Sequence, residues 1–465
     1  MNYNNFNPKE YLKSNFPKLN KKSTKEKKEA YLLDVGIIPD KSGYKFECNQ
    51  FARFFLKYTT IISLNNNELA IYKQTNGYYV VDSELIIKKI IKYMLNLVSD
   101  EWNWSREKSA YESIKRDVIT TVDGINDGDF INVQNGLLSL KDFTLYQHTD
   151  AVFTTSQLPI SYTTSPPDMP IFTKFLSDIT MGDTSMQMLI CEAFGYALSN
   201  SIAAQKAFFL VSSGSSGKST LMNVLQKLVG EENCSHTPLS SFNGSFGLAQ
   251  MVGCTVNIAS ENNACRINSE IFKAIVGGDK MEVNIKYKPA LNVCLNTKIF
   301  ALFNELPESN DLSFGYFRRL IIIPFQNRFI GDNVDVNILD KMYAELPSIL
   351  HWAVEGLKRL QKNNYQFTDC EVCRKALEDY RNSVNTVGGF FESNFSLNNT
   401  AIIRKSDIYK IYEAFCTENS YEVLQIQKFW RNLKQHFANQ EYHFTIKKVK
   451  GVEYMVGFSV KRAID

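Results

Sequence analysis

Apolar positions along the chain fall into three kinds of stretch. From about Phe46 to Ile160, short strand-like runs ("AIYKQ", "YYVV", "LLSLKDFTLYQH") flank a helical stretch from Ser83 to Leu97. Alternating apolar residues line one face of a strand, whereas spacings of three and four line one face of a helix. A small mixed α+β domain is therefore predicted over residues 46–165. "TTSPPDMP" (Thr163 to Pro170) gathers proline and turn formers, which marks a boundary. Helical periodicity from Ile171 to Ser199 then predicts a helical collar over 166–200. From Lys206 to Phe329 apolar strands alternate with helices, the pattern of a parallel α/β sheet with helices on both faces. This predicts an α/β domain over 201–335, the site of a motor if the chemistry fits, followed by a helical segment over 336–385. Residues 386–465 combine short helices with the strand, turn and strand of "HFTIKKVKGVEYMVGF", the order of a winged-helix-like module. At the other end, residues 1–45 set Lys18, Lys21, Lys22, Lys25, Lys27 and Lys28 among Asn and Ser. They read as a flexible basic lead-in, either a solvated tail or an arm that touches phosphate.

Chemistry concentrates in the predicted motor. The apolar strand "AFFLV" (Ala207 to Val211) runs into "SSGSSGKST" and then into the helical run "LMNVLQKLVG". Strand, small-residue loop and helix are in the order of a P-loop. Ser213, Gly214, Ser215, Ser216 and Gly217 let backbone N–H groups curl around phosphate, and the helix offers its positive end. Lys218 is placed to bridge the β- and γ-phosphates, Ser219 to ligate Mg²⁺, and Thr220 completes the loop. ATP and Mg²⁺ are the cofactors this implies. The pattern GxxxxGK[ST] expects glycine where this chain has Ser212, so another small residue has to make the tight turn.

A second strand, "CTVNIA" (Cys254 to Ala259), ends in "SEN". Glu261 thus stands at the carboxyl end of a strand, where open α/β sheets keep their chemistry. It is the candidate general base and an Mg²⁺ contact through water, while Ser260 occupies the position where many such ATPases carry an Asp. A third strand, "KIFALF", ends at Asn304, which could sense the γ-phosphate or simply form a turn before proline. "FRRLIIIPF" sets Arg318 and Arg319 at the start of a further strand. Such arginines are either surface or, in an oligomeric ATPase, a finger toward the neighbour's nucleotide.

Composition narrows the classes. With 465 residues and 44% hydrophobic content, several packed domains are expected. A net charge of +3 excludes a uniformly basic nucleic-acid coat and leaves local patches. Neither a leader sequence nor an apolar run of membrane-spanning length is found, so a cytoplasmic protein without membrane contact is expected. The nine cysteines lack framework spacing. Cys370 and Cys373 form the one close pair, with no second pair to complete a zinc site. The acidic triplet Asp127 to Asp129, "DGD", reads as a turn.

Taken in order, these motifs resemble the superfamily 3 helicases, specifically the phage and plasmid primase-helicase family related to poxvirus nucleoside triphosphatases. "FINVQNGLLSL" (Phe130 to Leu140) looks like that family's N-terminal signature, and "ICEAFGYALSN" leads into the motor as it does there. "IVGGDKMEVNIKYKP" (Ile275 to Pro289) is similar to its Gly-Gly-Asp segment and Lys-Tyr-Lys hairpin, and "LFNELP" and "YFRRLIIIPF" complete the set. The resemblance implies an AAA+ motor, ATP bound between the subunits of a homo-hexamer, and single-stranded DNA in a central channel. It implies Lys218 and Ser219 in the P-loop, Glu261 in the acidic motif, Asn304 as sensor, Arg319 as finger with Arg318 second, and Lys286 and Lys288 on a pore hairpin. Alternation in "VNIKYKP" would put both lysines on one strand face and Tyr287 on the other. Too few residues precede the matching region for the primase domain of many relatives, so a separate primase or polymerase is the expected partner.

In the C-terminal module, helical patterns at Ser406 to Glu418 and Ile426 to Ala438 precede the strand pair. Lys428, Arg431 and Lys434, three apart, make the second a candidate recognition helix for origin duplex DNA, with Lys447, Lys448 and Lys450 on the wing. A protein-interaction role remains open. The expectation is an ATP-dependent hexameric helicase acting on single-stranded and forked DNA in replication of a phage, plasmid or mobile element, self-loading if the module reads an origin. Two readings compete with it. One is an initiator whose ATPase switches assembly; the other is a scaffold or packaging motor on duplex DNA, which would lack the lysine hairpin.

Overall fold

The computed structural model describes residues 6–461 except 42, 65–67, 82, 123–127, 261–266, 288, 308, 310, 332–334, 385, 419–420, 422 and 440–444. Residues 6–45, read above as a flexible lead-in, are folded. Helix α1 (Lys25–Asp34) and the hairpin of β1 (Ile37–Asp40) and β2 (Gly43–Phe46) lie on α2 (Cys48–Tyr58). Tyr11, Leu12, Tyr31, Val35 and Ile37 are buried in one core with Phe51 and Phe55 of α2, and the Tyr31 hydroxyl donates to Met94 O at 2.8 Å. Few apolar residues suffice here because each meets the helices that follow. Strands β3 (Ile61–Leu64), β4 (Leu69–Lys73) and β5 (Tyr78–Val80), helices α3 (Glu84–Leu95) and α4 (Trp104–Asp117), and β6 (Thr121–Val122) continue the chain. The four strands form a sheet in the order β5-β4-β3-β6, and α3 buries Ile86, Ile87, Ile90, Ile91 and Met94 on one face, the stripe its spacing predicts.

Strands β7 (Phe130–Val133), β8 (Gly136–Ser139) and β9 (Leu145–Tyr146) make a small antiparallel sheet. Two helices follow, α5 (Pro170–Ile179) and α6 (Thr184–Leu198). They are separate because Met181 and Gly182 adopt positive φ of 54° and 76°, which an α-helix does not accommodate.

Next come β10 (Ala207–Val211), α7 (Lys218–Val229), β11 (Cys234–Ser235), β12 (Val256–Ser260) and α8 (Ser269–Gly277). The hairpin strands β13 (Lys280–Val283) and β14 (Leu291–Cys294) lead to β15 (Lys298–Phe303), the short α9 (Phe314–Phe317) and β16 (Leu320–Pro324). Five of these strands form one wholly parallel sheet, ordered β11-β12-β15-β10-β16. Both faces are covered, as the continuous apolar runs predict. Phe208, Ile258, Phe300 and Ile323 enter one core, where Phe208 and Phe300 stack at 4.7 Å, while Phe209, Ala259, Phe303 and Ile322 enter the other with Phe272 of α8. Ile131, Val133, Leu138 and Leu158 join the first of these cores, so the small β7–β9 sheet is packed onto the motor.

Helices α10 (Ile338–Ala344), α11 (Leu346–Lys362) and α12 (Glu371–Val384) close the motor. Cys370 and Cys373 are buried in the first core. Helix α11 crosses α6 at close range: a Cβ added to Gly356 would lie 2.3 Å from Cys191 O, and one added to Gly195 2.4 Å from Ala353 O. The chain ends with α13 (Thr386–Asn394), β17 (Phe395–Arg404), α14 (Lys405–Glu418), α15 (Ile426–Asn439), β18 (Thr445–Val449) and β19 (Val452–Val460). Its sheet has three strands, β17-β19-β18, where the sequence pattern shows two.

Candidate nucleotide site

Strand register decides what meets at the site. Val211 pairs with Phe303 on one side and Pro324 on the other, so the segments after β10, β15 and β16 emerge together from the carboxyl edge of the sheet. The first is the phosphate loop, the second opens with Asn304, and the third runs from Phe325 to Phe329. Ser212 N donates to Phe303 O at 3.2 Å and Phe325 N to Val211 O at 2.8 Å, which continues the ladder one residue beyond the strands.

Ser212 does not have to turn the chain. The turn is made by Gly214, Ser215 and Gly217, with φ of 112°, 50° and 85°. A hydroxyl at position 212 therefore costs no backbone strain, and it serves the loop: Ser212 Oγ and Ser216 Oγ are 2.6 Å apart, and Gly214 N donates to Ser212 Oγ at 3.3 Å. Gly217 is needed twice over. Its φ lies where side chains are strained, and a Cβ there would stand 2.9 Å from Ile179 Cγ2 and 3.1 Å from Phe175 Cε2 of α5. It caps α7, whose 12 residues point their amino end, with its unpaired N–H groups and positive dipole, into the loop.

Gly214 to Thr220, Ser260, Leu302, Phe303 and Asn304 line an open cleft of about 670 Å³. Lys218 is 7% exposed, and burial lowers its pKa from the usual lysine value, since an ammonium loses hydration there. Its Nζ donates to Ser212 O at 3.0 Å and also to Ser212 Oγ. These acceptors are neutral, so an arriving phosphate would add the attraction of an opposite charge. Ser219 is exposed at the start of α7. Ser260 ends β12, and Glu261, the candidate base, lies outside the described residues. Among the described residues no group of three or more His, Cys, Asp or Glu could hold a metal. The donors fit Mg²⁺ that arrives with a nucleotide, the Ser219 hydroxyl holding it beside the phosphates.

Arg318 and Arg319 sit at the other edge of the sheet. Ala207 N donates to Arg319 O at 2.8 Å, so the pair stands level with the start of β10, about 13 Å along the strand from the phosphate loop. Arg318 is exposed and donates through Nη2 to Gln205 Oε1 at 2.9 Å. Arg319 donates through Nη1 to Gly315 O at 2.6 Å, and its buried Nε has no hydrogen-bond partner among the described residues. Burial, with the neighbouring Arg318 charge, holds its pKa below the usual guanidinium value.

The lysine hairpin differs from the expected strand face. Strand β13 stops at Val283, Lys286 and Tyr287 lie in the turn, and Tyr287 has φ 64° and is fully exposed. Alternation therefore does not sort these side chains; Lys288 lies outside the described residues. Lys286 Nζ stands 5.7 Å from the ring centroid of Phe246, itself 47% exposed in the loop before β12. Phe246 carried no signal in the sequence. Nor did Arg328, which donates to Ser213 Oγ from the segment after β16. Asp127 lies outside the described residues, and Asp129 pairs with Lys141 at 3.0 Å. In the C-terminal module Phe429, Trp430, Leu433 and Phe437 turn α15 inward while Arg431 and Lys434 are exposed and Lys428 is half-buried.

Three family models match separate parts of the chain. Residues 52–181 match the D5 N terminal like family, 210–319 a family of unknown function (DUF5906), and 383–462 the Poxvirus D5 protein-like family. The protein "Putative helicase L207/L206" of Acanthamoeba polyphaga mimivirus is 31% identical over 184 residues, 38% of this chain and 19% of that protein. These partial matches make the chain similar to the D5-like superfamily 3 helicases. The match spans only about a fifth of the mimivirus relative's length. Among solved structures, the apo A form of the NrS-1 C-terminal region superposes with a TM-score of 0.50 at 14% identity, covering 87% of this chain and 97% of that one. A further apo structure of that region gives a TM-score of 0.49 at 13% identity, again over 87% and 97%. At such identity the likeness of the first speaks for the fold of this D5-like chain. Among the described residues no helix is long and apolar enough to cross a membrane.

Proposed function

We propose that the protein is an ATP-dependent DNA helicase whose AAA+ motor works as a ring, with each nucleotide held between two subunits. The observation that carries this is the split of chemistry across the parallel sheet: Lys218, Ser219 and Asn304 gather at one edge, while Arg319 stands at the other, out of reach of its own subunit's cleft. Such an arginine can contribute to hydrolysis only at a neighbour's site.

The steps then follow from the chain's own groups. The loop N–H groups and Lys218 bind and orient the triphosphate. Ser219 would hold Mg²⁺, which would supply charge neutralisation at the phosphates. Glu261 takes the proton of the attacking water, Asn304 holds that water or senses the terminal phosphate, and the neighbour's Arg319 stabilises charge as the bond breaks. Lys286 and Lys288 would follow DNA phosphates without regard to sequence, and Tyr287 and Phe246 offer rings for exposed bases. Arg431 and Lys434 on α15 support a winged-helix-like reading of the C-terminal module, and with it the alternative of an origin-binding initiator. Support for the helicase reading comes from the D5-like family and from the relative named a helicase.

Unwinding of forked DNA by the wild type beside Lys218→Ala tests the proposal. Strand separation that needs ATP and is lost in the variant supports it. Hydrolysis without any strand separation would transfer the case to the initiator.

A further inference from the structure

The segment after β16 is fastened to the end of β10, to α5 and to the phosphate loop. Phe325 N donates to Val211 O at 2.8 Å, Phe329 N to Ser215 O at 2.8 Å, and Asn327 Nδ2 to Asp178 O at 2.8 Å. Between the last two anchors Arg328 is exposed, and its Nη2 donates to Ser213 Oγ. Ser213 directly precedes the Gly214–Thr220 stretch that lines the cleft. A guanidinium carries five donors in a planar fork suited to phosphate, and this one spends a bond on a neutral hydroxyl. Phosphate oxygens are the stronger acceptor by charge.

We propose that Arg328 is a second cation for the subunit's own nucleotide: it steadies the empty loop through Ser213 and transfers to the terminal phosphate when ATP binds. The inference rests on the nucleotide-site reading above. It differs from the role given to Arg319 because the backbone anchors tie Arg328 to its own subunit's loop. Ser213 lies at the strand end of the loop, away from the helix amino end, so the gain is expected at the third phosphate. Ser213 then acts as a placeholder whose hydroxyl competes weakly with the nucleotide.

The test is titration of the full-length protein with fluorescent ATP and ADP analogues, comparing Arg328→Ala, Arg328→Lys, Ser213→Ala and Lys218→Ala. Arg328→Ala is expected to weaken the ATP analogue roughly tenfold and the ADP analogue much less, the scale of one charged hydrogen bond. Arg328→Lys should recover part of the loss, and Ser213→Ala should not reproduce the ATP-selective loss. Equal weakening by Arg328→Ala and Ser213→Ala, or equal loss for both nucleotides, would show a loop anchor only and overturn the inference. If Lys218→Ala binds like the wild type, the nucleotide-site reading has failed and takes this inference with it. If Lys218→Ala abolishes binding while Arg328→Ala changes nothing, only the arginine assignment falls. Mixing Arg328→Ala with Lys218→Ala subunits at limiting ATP should give no more hydrolysis than the Arg328→Ala subunits supply by themselves, because both groups serve the same subunit; a gain beyond that would overturn the inference.

Discussion

The two edges of the central parallel sheet are built from the same strands and differ in nearly everything else. At the carboxyl edge β10 runs into a loop with positive φ at Gly214, Ser215 and Gly217, followed by a helix end and a buried lysine held by neutral acceptors. That edge is shaped to receive an anion. At the amino edge, Arg319 stands on the backbone carbonyl of Gly315, and Lys298 fixes the carbonyls of Ser199 and Asn296 at 2.6 and 2.9 Å. Neither cation lines the cleft at the carboxyl edge. On the proposed reading, one chain holds two halves of a reaction site facing apart, and a second copy would bring complementary halves together.

Breaking the carboxyl edge should have the largest effect. Lys218→Ala is expected to abolish nucleotide binding and hydrolysis together, measured by analogue titration and phosphate release. Arg319→Ala should separate the two: hydrolysis falls by about a thousandfold, as for an arginine finger supplied in trans, while analogue affinity stays near wild type. A matching loss of affinity would place Arg319 in the binding site and erase the contrast between the edges. The double variant Lys286→Ala with Tyr287→Ala should reduce forked-DNA unwinding by tenfold or so and leave DNA-free hydrolysis within about twofold, the scale of lost stacking and phosphate contacts. Parallel loss of both activities would make the hairpin part of the motor instead of its grip on DNA.

The smallest effect concerns stability. Burial pushes the Lys298 pKa down to about 7. The unfolded chain keeps the ordinary lysine value, so between these two pKa values it binds more protons than the folded chain, and stability rises with pH. The slope is at most about 1.4 kcal/mol per pH unit and vanishes below pH 7, where both states are protonated. Thermal melts at pH 7, 8 and 9 should show Tm climbing in the wild type and a flatter profile in Lys298→Met. An unchanged slope in the variant would assign the effect to other groups.

How much of this was legible in the sequence follows from where each residue finds its partners. Strands β10, β12, β15 and β16 read clearly because both faces of each are buried, which forces continuous apolar runs, and the loop read clearly because phosphate binding constrains consecutive residues. The folded state of residues 6–45 did not: Tyr11, Tyr31 and Val35 are sparse among lysines, and their burial comes from α2 and α3. Strand β17 escaped notice because its pairing with β19 is distant and shifts register between Asn398 and Ile402. The hairpin was read, but its lysines were set on a strand face, since alternation in "VNIKYKP" mimics a strand where the chain turns. Phe246 and Arg328 gain meaning only through contacts across the fold, with Lys286 and Ser213.

The central claim is that the site is completed by two subunits, and complementation tests it most directly. Lys218→Ala subunits keep a working Arg319, and Arg319→Ala subunits keep a working phosphate loop. Each variant alone should hydrolyse almost no ATP, and an equal mixture assembled into shared rings should regain about a quarter of wild-type activity, since a heterologous ring interface pairs one intact half from each subunit at that frequency. A mixture as inactive as its components, or an Arg319→Ala protein that hydrolyses ATP normally by itself, would contradict the account.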